Sequence, residues 1–474
     1  MAAAIKSATT AKVIKAMGIF GGVQSLQILC SVIRTKLVAV WIGPAGVGLI
    51  ALYNSTMEFL STISQLNLRQ SAVRDLAQTA DNPAKAARTT AVVRKLAFFL
   101  GLAGMLAVVL LSPALGWWSF GNASAMTPFI VLSPIMLFSS LAAGDWAVMQ
   151  GLGRLKELAR STLYASVAST AVAIPLFYFL RLDGIIPVLI VFAVFNALFA
   201  RLMRDRNIET VRIGLSQAWR EGRGMLSLGM YLTVSYGVTL LVSYIFTAWL
   251  NRSYSTETVG YFQAGYTLVN SYAGIIFTAI AYEYFPRLSG MTMHRNRMET
   301  IVSHQIKISL CVLLPVIITL VCARELIIDI LYDSSFDTAL PFIAFAAMGL
   351  AFRAASFCLA YTILARGDGR IYVMTEISSA ALYIALNIIL FENYSFAGLG
   401  IAYIIWYFCY TAIVYAVYRF RYDMRIRKGI VPLLCLTFAS GVCALTMDWF
   451  AGPWWTAALM IPPALFFAIK TIRK

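Results

Sequence analysis

Apolar stretches of about 17–28 residues follow one another along nearly the whole chain, parted by short clusters of charge or by turn residues. One soluble core cannot absorb that much apolar surface, whereas about 20 apolar residues are what a helix needs to cross a bilayer. Composition agrees: 60% of the residues are hydrophobic and 12% charged, against about a half and a quarter in soluble domains. The expected fold class is an all-α polytopic membrane protein. About fourteen spans are expected, near 16–42, 46–67, 90–115, 126–150, 160–180, 184–203, 224–250, 258–285, 304–323, 338–364, 371–391, 396–418, 429–447 and 452–470.

Charge sorts with these spans. Of the 38 Lys and Arg residues, 32 fall on one alternating set of loops and the termini. Three (Arg181, Arg252, Arg324) fall on the opposite set, and three (Arg34, Lys36, Arg353) lie inside spans. This asymmetry is the positive-inside pattern and predicts that both termini are cytoplasmic. It also accounts for the net charge of +17 without nucleic acid as a partner. The opening residues MAAAIKSATTAKVIK read as a basic lead-in to the first span rather than a signal peptide. The seven cysteines lie in or beside apolar stretches without CxxC pairing, and His294 and His304 have no metal spacing. Neither set predicts a metal site or a disulfide.

The sequence repeats itself. AGVGLIALYNSTMEFLSTI (45–63) is similar to ETVGYFQAGYTLVNSYAGIIFTAI (257–280), pairing Val47-Gly48 with Val259-Gly260. GLGRLKELARSTLYASVAS (151–169) is similar to ARGDGRIYVMTEISSAALY (365–383), pairing Gly153-Arg154 with Gly369-Arg370. Each copy then holds six spans, an even number, so the copies are parallel repeats with a binding cavity expected between them. The expected organisation is a first six-helix lobe (1–203), a cytoplasmic linker (204–223) with room for a short amphipathic helix, a second lobe (224–419), and a C-terminal helix pair (420–474).

Polar residues inside the spans mark candidate sites. In the first span Gln24, Gln27, Ser31 and Arg34 recur at i, i+3, i+7 and i+10, one helical face. Lys36 lies about 200° round the helix from Arg34, so the two cations point different ways. Arg34 is about 13 Å before the Gly43-Pro44 turn at 1.5 Å per residue, well inside the apolar layer. Lys36 could snorkel to the interface or pair with an acid. The second span carries Asn54, Glu58, Ser61 and Gln65, and its repeat partner carries Gln263, Thr267, Asn270 and Gly274 at the same spacing, so Glu58 corresponds to Asn270. Such stripes suit the wall of a wet cavity, since an intramembrane charge costs at least about 2.5 kcal/mol unless paired or solvated. Isolated Ser and Thr equally serve as hydrogen bonds between helices of a dry bundle. Arg353, in the middle of a span, is a candidate for anion contact or for a structural ion pair. Asp145, Glu283 and Glu376 sit near helix ends, where salt bridges are expected.

No nucleotide-binding domain or GxxxxGK[ST] loop is present, and the GLGR and GDGR turns lack the preceding strand of a phosphate loop. Short loops leave little with which to assemble a catalytic site. The expectation is a transporter, not an enzyme, with no cofactor.

RTKLVAVWIGPAGVGL, followed by a polar second helix and SAVRDLAQTADNP, resembles the Wzx-type O-antigen and lipid-linked oligosaccharide flippases of the multidrug/oligosaccharidyl-lipid/polysaccharide exporter superfamily. The resemblance covers the twelve-span core and is most specific over 33–83. It implies two six-helix lobes in a V, a bacterial inner-membrane location, and alternating access. The implied cargo is an undecaprenyl-diphosphate-linked oligosaccharide, an O-antigen or related repeat unit, moved from the cytoplasmic to the periplasmic leaflet. Implied partners are membrane lipids, a polysaccharide polymerase and chain-length machinery. By the resemblance, Arg34 meets the diphosphate; the polar stripes of the first two spans then make Asn54, Glu58, Gln24, Gln27, Ser31 and Gln65 the candidates to line the sugar path. The second lobe lacks a matching cation in SYIFTAWLN, so its positive charge falls to Arg353 or Arg287. Coupling to the membrane potential, H⁺ or Na⁺ is left open, with Glu58 the first acid to examine. A cation-coupled multidrug antiporter of the same superfamily is the alternative.

Overall fold

The computed structural model describes residues 23, 25–79, 82–204, 211–291 and 294–472, and among them the only regular structure is helical. In chain order the helices are α1 (25–41), α2 (Pro44–Gln65), α3 (Leu68–Thr79), α4 (Pro83–Phe120), α5 (Thr127–Leu132), α6 (Pro134–Gly151), α7 (Leu155–Leu180), α8 (Ile185–Leu202) and α9 (Leu215–Glu221). There follow α10 (Arg223–Ser253), α11 (Thr256–Tyr266), α12 (Ala273–Ser289), α13 (Arg295–Cys322), α14 (Arg324–Leu331), α15 (Leu340–Ala365), α16 (Gly369–Ala416), α17 (Ile430–Ala451) and α18 (Pro453–Ile472).

Seven helical segments of the described chain are long and apolar enough to cross a membrane, which makes this a multi-pass membrane protein. Two of the seven are double. Leu155–Leu202 runs 48 residues and Gly369–Arg421 runs 53; straight, each would reach about 70–80 Å, more than twice the roughly 30 Å apolar layer. Each reverses at a residue with positive φ, Arg181 (50°) and Ser395 (51°). Three residues on, Gly184 and Gly398 lie so close to the carbonyls of Leu176 and Leu390 that neither leaves room for a Cβ. The helices α2 (22 residues), α10 (31 residues) and α18 (20 residues) are also of spanning length, and the seven apolar segments do not by themselves establish the expected fourteen spans.

The reversals refine the internal repeat. Arg181 and Ser395, Gly184 and Gly398, and the positive-φ turn glycines Gly153 (72°) and Gly367 (75°) are each 214 residues apart. Both turns bond alike: Arg154 N–H donates to Met149 O and Asp368 N–H to Ile363 O. The structural partner of Gly153 is therefore Gly367, not Gly369. The left-handed conformation, which glycine adopts without penalty, decides the register where letter similarity misplaced it by two residues.

The chain forms two compact units, up to Val259 and from Gly260. In the first, Leu68, Ala72 and Leu76 of α3 form a core with Val92, Val93 and Leu96 of α4, Ala147 and Val148 of α6, and Met225 and Leu226 of α10. The helix that opens the second sequence repeat, α10, thus packs into the first unit. In the second unit α15 is the centre, buried along most of its length. Its Gly349 meets the Tyr403 ring and Gly400 of α16 meets Phe345, each 2.6 Å from an added Cβ, so small residues set the close helix approach. The pair α17–α18 packs on α13 through Leu314, Ile318, Val321, Ala444 and Ala464. Arg324 at the start of α14 pairs with Asp448 of α17 at 2.7 Å, their side chains 16% and 7% exposed.

Candidate functional site

The turn between α1 and α2 explains where Arg34 sits. Gly43 takes φ 84° and Pro44 opens α2 at its first turn, a position where the missing proline N–H costs nothing. Arg34, nine residues earlier, is half-buried. Its guanidinium carbon stands 4.7 Å from the centroid of Phe192 on α8, and its Nε is buried without a hydrogen-bond partner. No carboxylate of the described residues lies within ion-pair reach of Arg34. A ring beneath a guanidinium is worth up to about 2 kcal/mol when desolvated, but it neutralises no charge and satisfies no N–H. A buried donor left unpaired costs about 1–3 kcal/mol. Arg34 is thus held on one side by the Phe192 ring and left with an unsatisfied Nε on the other.

Around it, Ser31 is exposed and Gln27 half-buried on the same helical face. Gln24 lies outside the described residues. Lys36 is half-buried and engaged in an interaction of its own. The stripe on α2 divides. Asn54 and Glu58 are exposed, and no ion pair joins Glu58 to Arg34. Gln65 instead donates from Nε2 to Ser61 Oγ at 3.1 Å and to Ser139 Oγ of α6 at 3.0 Å. One end of the stripe is open and the other is a hydrogen-bonded seam between helices.

In the second unit Asn270 and Arg353 come together. Asn270 lies in the π-turn Thr267–Tyr272, where the widened helix redirects backbone carbonyls. Arg353 Nη1 donates to Asn270 O at 3.5 Å and to the Tyr403 hydroxyl at 3.3 Å, and that hydroxyl donates on to Asn270 Oδ1 at 3.4 Å. Phe277 and Tyr407 present ring faces to the guanidinium at 4.8 and 5.8 Å. No carboxylate of the described residues is within ion-pair reach, so no structural ion pair holds Arg353. Glu376 of the same unit accepts from the Tyr410 hydroxyl at 2.6 Å. Tyr403, Trp406, Tyr407 and Tyr410 were missed in the sequence, although their i, i+3, i+4, i+7 spacing in YIIWYFCY places them on one face of α16. Phe192 had no such signal.

The remaining intramembrane acids resolve as local contacts. Asp145 Oδ1 accepts from Arg94 Nε at 2.7 Å, and Glu283, exposed, lies 3.9 Å from Arg287. No cluster of three His, Cys, Asp or Glu able to hold a metal occurs among the described residues. Within each unit a guanidinium packed on aromatic rings offers N–H groups to an anion, with polar side chains close by that suit hydroxylated groups.

A family model for polysaccharide biosynthesis proteins matches residues 37–341. The lipid III flippase of Escherichia coli (strain K12) is 24% identical over 393 residues, covering 81% of this chain and 92% of that protein. Among solved structures, that of the lipid II flippase MurJ in an inward closed conformation superposes with a TM-score of 0.71 at 13% identity, covering 95% of this chain and 98% of that one. An inward-facing multidrug resistance MATE family transporter of the MOP superfamily gives a TM-score of 0.67 at 14% identity, covering 86% and 95%. The fold is that of these transporters.

Proposed function

The chain belongs to the polysaccharide biosynthesis protein family, and we propose that within it this member is a flippase for a lipid-linked oligosaccharide. The cargo is an undecaprenyl-diphosphate-linked repeat unit of O-antigen type, moved across the inner membrane from the cytoplasmic to the periplasmic leaflet, with both termini cytoplasmic. The lipid III flippase relative supports the class of cargo. The observation that carries the reading is Arg34: an intramembrane guanidinium with a buried Nε lacking a partner and no counter-ion among the described residues. Charge-assisted, fork-like hydrogen bonds from arginine suit a diphosphate. Ser31, Gln27, Asn54 and Glu58 supply polar contacts for sugar hydroxyls, and Gln24 continues their face in the sequence. In the second unit Arg353 serves the anion and Asn270 with the tyrosines serves the sugars. No ATPase is needed, because an inside-negative potential drives a negative headgroup outward.

The test is flipping of fluorescent lipid-linked oligosaccharide in liposomes. Arg34→Ala should abolish it, Arg34→Lys should retain a fraction, and Lys36→Ala should do less harm than either. Normal flipping by Arg34→Ala overturns the diphosphate assignment. The multidrug antiporter reading rests on the likeness of fold to the MATE transporter. It requires drug efflux that survives Arg34→Ala.

A further inference from the structure

Away from Arg34, the first unit holds a cavity of about 600 Å³ that nothing in the proposed transport step uses. Its wall is α4, through Thr90, Arg94, Lys95 and Phe98, together with Arg204 just after α8 and Arg212 just before α9. Alanines of α4 together with Val211 and Ile213 complete it, and no acidic residue lines it among the described residues. The charge asymmetry of the loops assigns this end of the unit to the cytoplasm.

Three observations bear on what it takes up. Four cations face one cavity, and Arg94 among them is fixed from behind by Asp145 of α6, at 2.7 Å. Thr90 is 2% exposed, and its hydroxyl has no hydrogen-bond partner. Phe98, by contrast, is 42% exposed and Val211 38%, so the rim is apolar. The order along α4 matters. Thr90, Arg94 and Phe98 fall at i, i+4 and i+8, one face about 12 Å long, running from a polar, basic end into the apolar part of the helix.

We propose that this cavity binds the phosphate of an anionic phospholipid, with the acyl chains leaving over Phe98. Lys95 and Arg212 provide the charge, one from α4 and one from the linker, and the Thr90 hydroxyl donates to a phosphate oxygen. Basic pockets on the cytoplasmic side of membrane helices suit such headgroups, and an unsatisfied buried hydroxyl gains a partner there. The lipid would then bridge α4 to the linker that joins the two sequence repeats. Beside it the same two elements are already joined by Arg88 and Glu221, bonded at 2.9 and 2.5 Å.

The experiment is native mass spectrometry of the full chain in detergent, titrated with phosphatidylglycerol and with phosphatidylcholine of the same acyl chains. The wild type should retain phosphatidylglycerol at about tenfold lower concentration than phosphatidylcholine. Lys95→Ala/Arg212→Ala should lose that preference, and Thr90→Val should weaken it about threefold. Lys85→Ala/Arg160→Ala removes the same charge outside the cavity and should change nothing. Gel filtration and thermal unfolding of each variant guard against misfolding. Equal retention of the two lipids by the wild type overturns the proposal. So does equal loss in the outside-charge control, or displacement of the lipid by inorganic phosphate at the same concentration, which would make free phosphate the ligand.

Discussion

Arg34 and Arg353 are the same kind of residue solved in two ways. Arg34 rests on a single ring and keeps an unsatisfied Nε. Arg353 is caged by Asn270, Tyr403, Phe277 and Tyr407. Removing the Tyr403 hydroxyl removes two hydrogen bonds, the one it accepts from the Arg353 guanidinium and the one it donates to Asn270 Oδ1; both are long, at 3.3 and 3.4 Å, which keeps their joint worth at about 0.5–1.5 kcal/mol. Tyr403→Phe should therefore slow flipping about three- to tenfold, whereas Arg353→Ala, which removes charge-assisted contacts, should cost at least tenfold in the same liposome assay. If Arg353→Ala flips normally, the anion contact belongs to Arg34 alone. Arg34 was legible because a polar face at helical spacing and a Gly-Pro turn fix its phase and depth. Its ring was not legible: Phe192 is one more apolar residue on an apolar helix, 158 residues away in sequence, and only packing selects it. Asn270 was legible as the repeat partner of Glu58. That the π-turn aims its carbonyl at Arg353 was not, because the widening of a helix has no letter code.

Helix ends divide in the same manner. The reversals at Arg181 and Ser395 fall in the gaps that the sequence left between spans, since a charged or turn-prone residue interrupts the apolar run there. By contrast, α4 runs from Pro83 to Phe120, well beyond the apolar stretch 90–115, and α3 forms where only a loop was expected. Asn82 caps α4, accepting from Lys85 N–H at 3.1 Å, and Leu68, Ala72 and Leu76 fasten α3 to the core. Hydropathy sees the part of a helix in lipid and overlooks its aqueous continuation. Two contacts between elements make predictions. Arg324 and Asp448 are buried together at 2.7 Å, so Asp448→Ala strands a cation and should destabilise the α17–α18 pair by about 3–5 kcal/mol, read as a lower unfolding temperature in detergent. Replacing both with a hydrophobic pair should recover most of that loss. At the other end, hydrogen bonds from Arg88 and then Gln217 push the Glu221 carboxyl down to about 2. A depressed carboxyl stabilises its contact above its ordinary value, near 4.5, and the contact is lost as pH falls toward 2. A fluorophore at residue 216 should keep its emission from pH 7 to 4.5 and change only below. A midpoint near 4.5 would mean that Arg88 does not hold α9.

At the scale of the whole molecule the distribution of charge has a consequence for transport. On the proposed topology 32 of the 38 cations fall on the side of the termini and three on the opposite side, so the proposed passage of an anionic headgroup starts where cations are concentrated. A diphosphate that crosses with part of its charge uncompensated moves with an inside-negative potential. Each elementary charge is worth about 2.3 kcal/mol per 100 mV, or about 40-fold in the ratio of cargo between leaflets. Arg34 and Arg353 belong to the protein and return with it, so what is translocated is the headgroup's own charge. Liposomes with a potassium diffusion potential of 100 mV, negative on the side of the termini, should therefore accumulate labelled cargo in the far leaflet. Reversing the gradient should reverse the bias, and collapsing it should equalise the leaflets. A bias that ignores the potential and follows a pH or Na⁺ gradient would move the driving force to a coupling ion. Glu58, an exposed acid on α2 with no ion-pair partner among the described residues, is where Glu58→Gln should then abolish it.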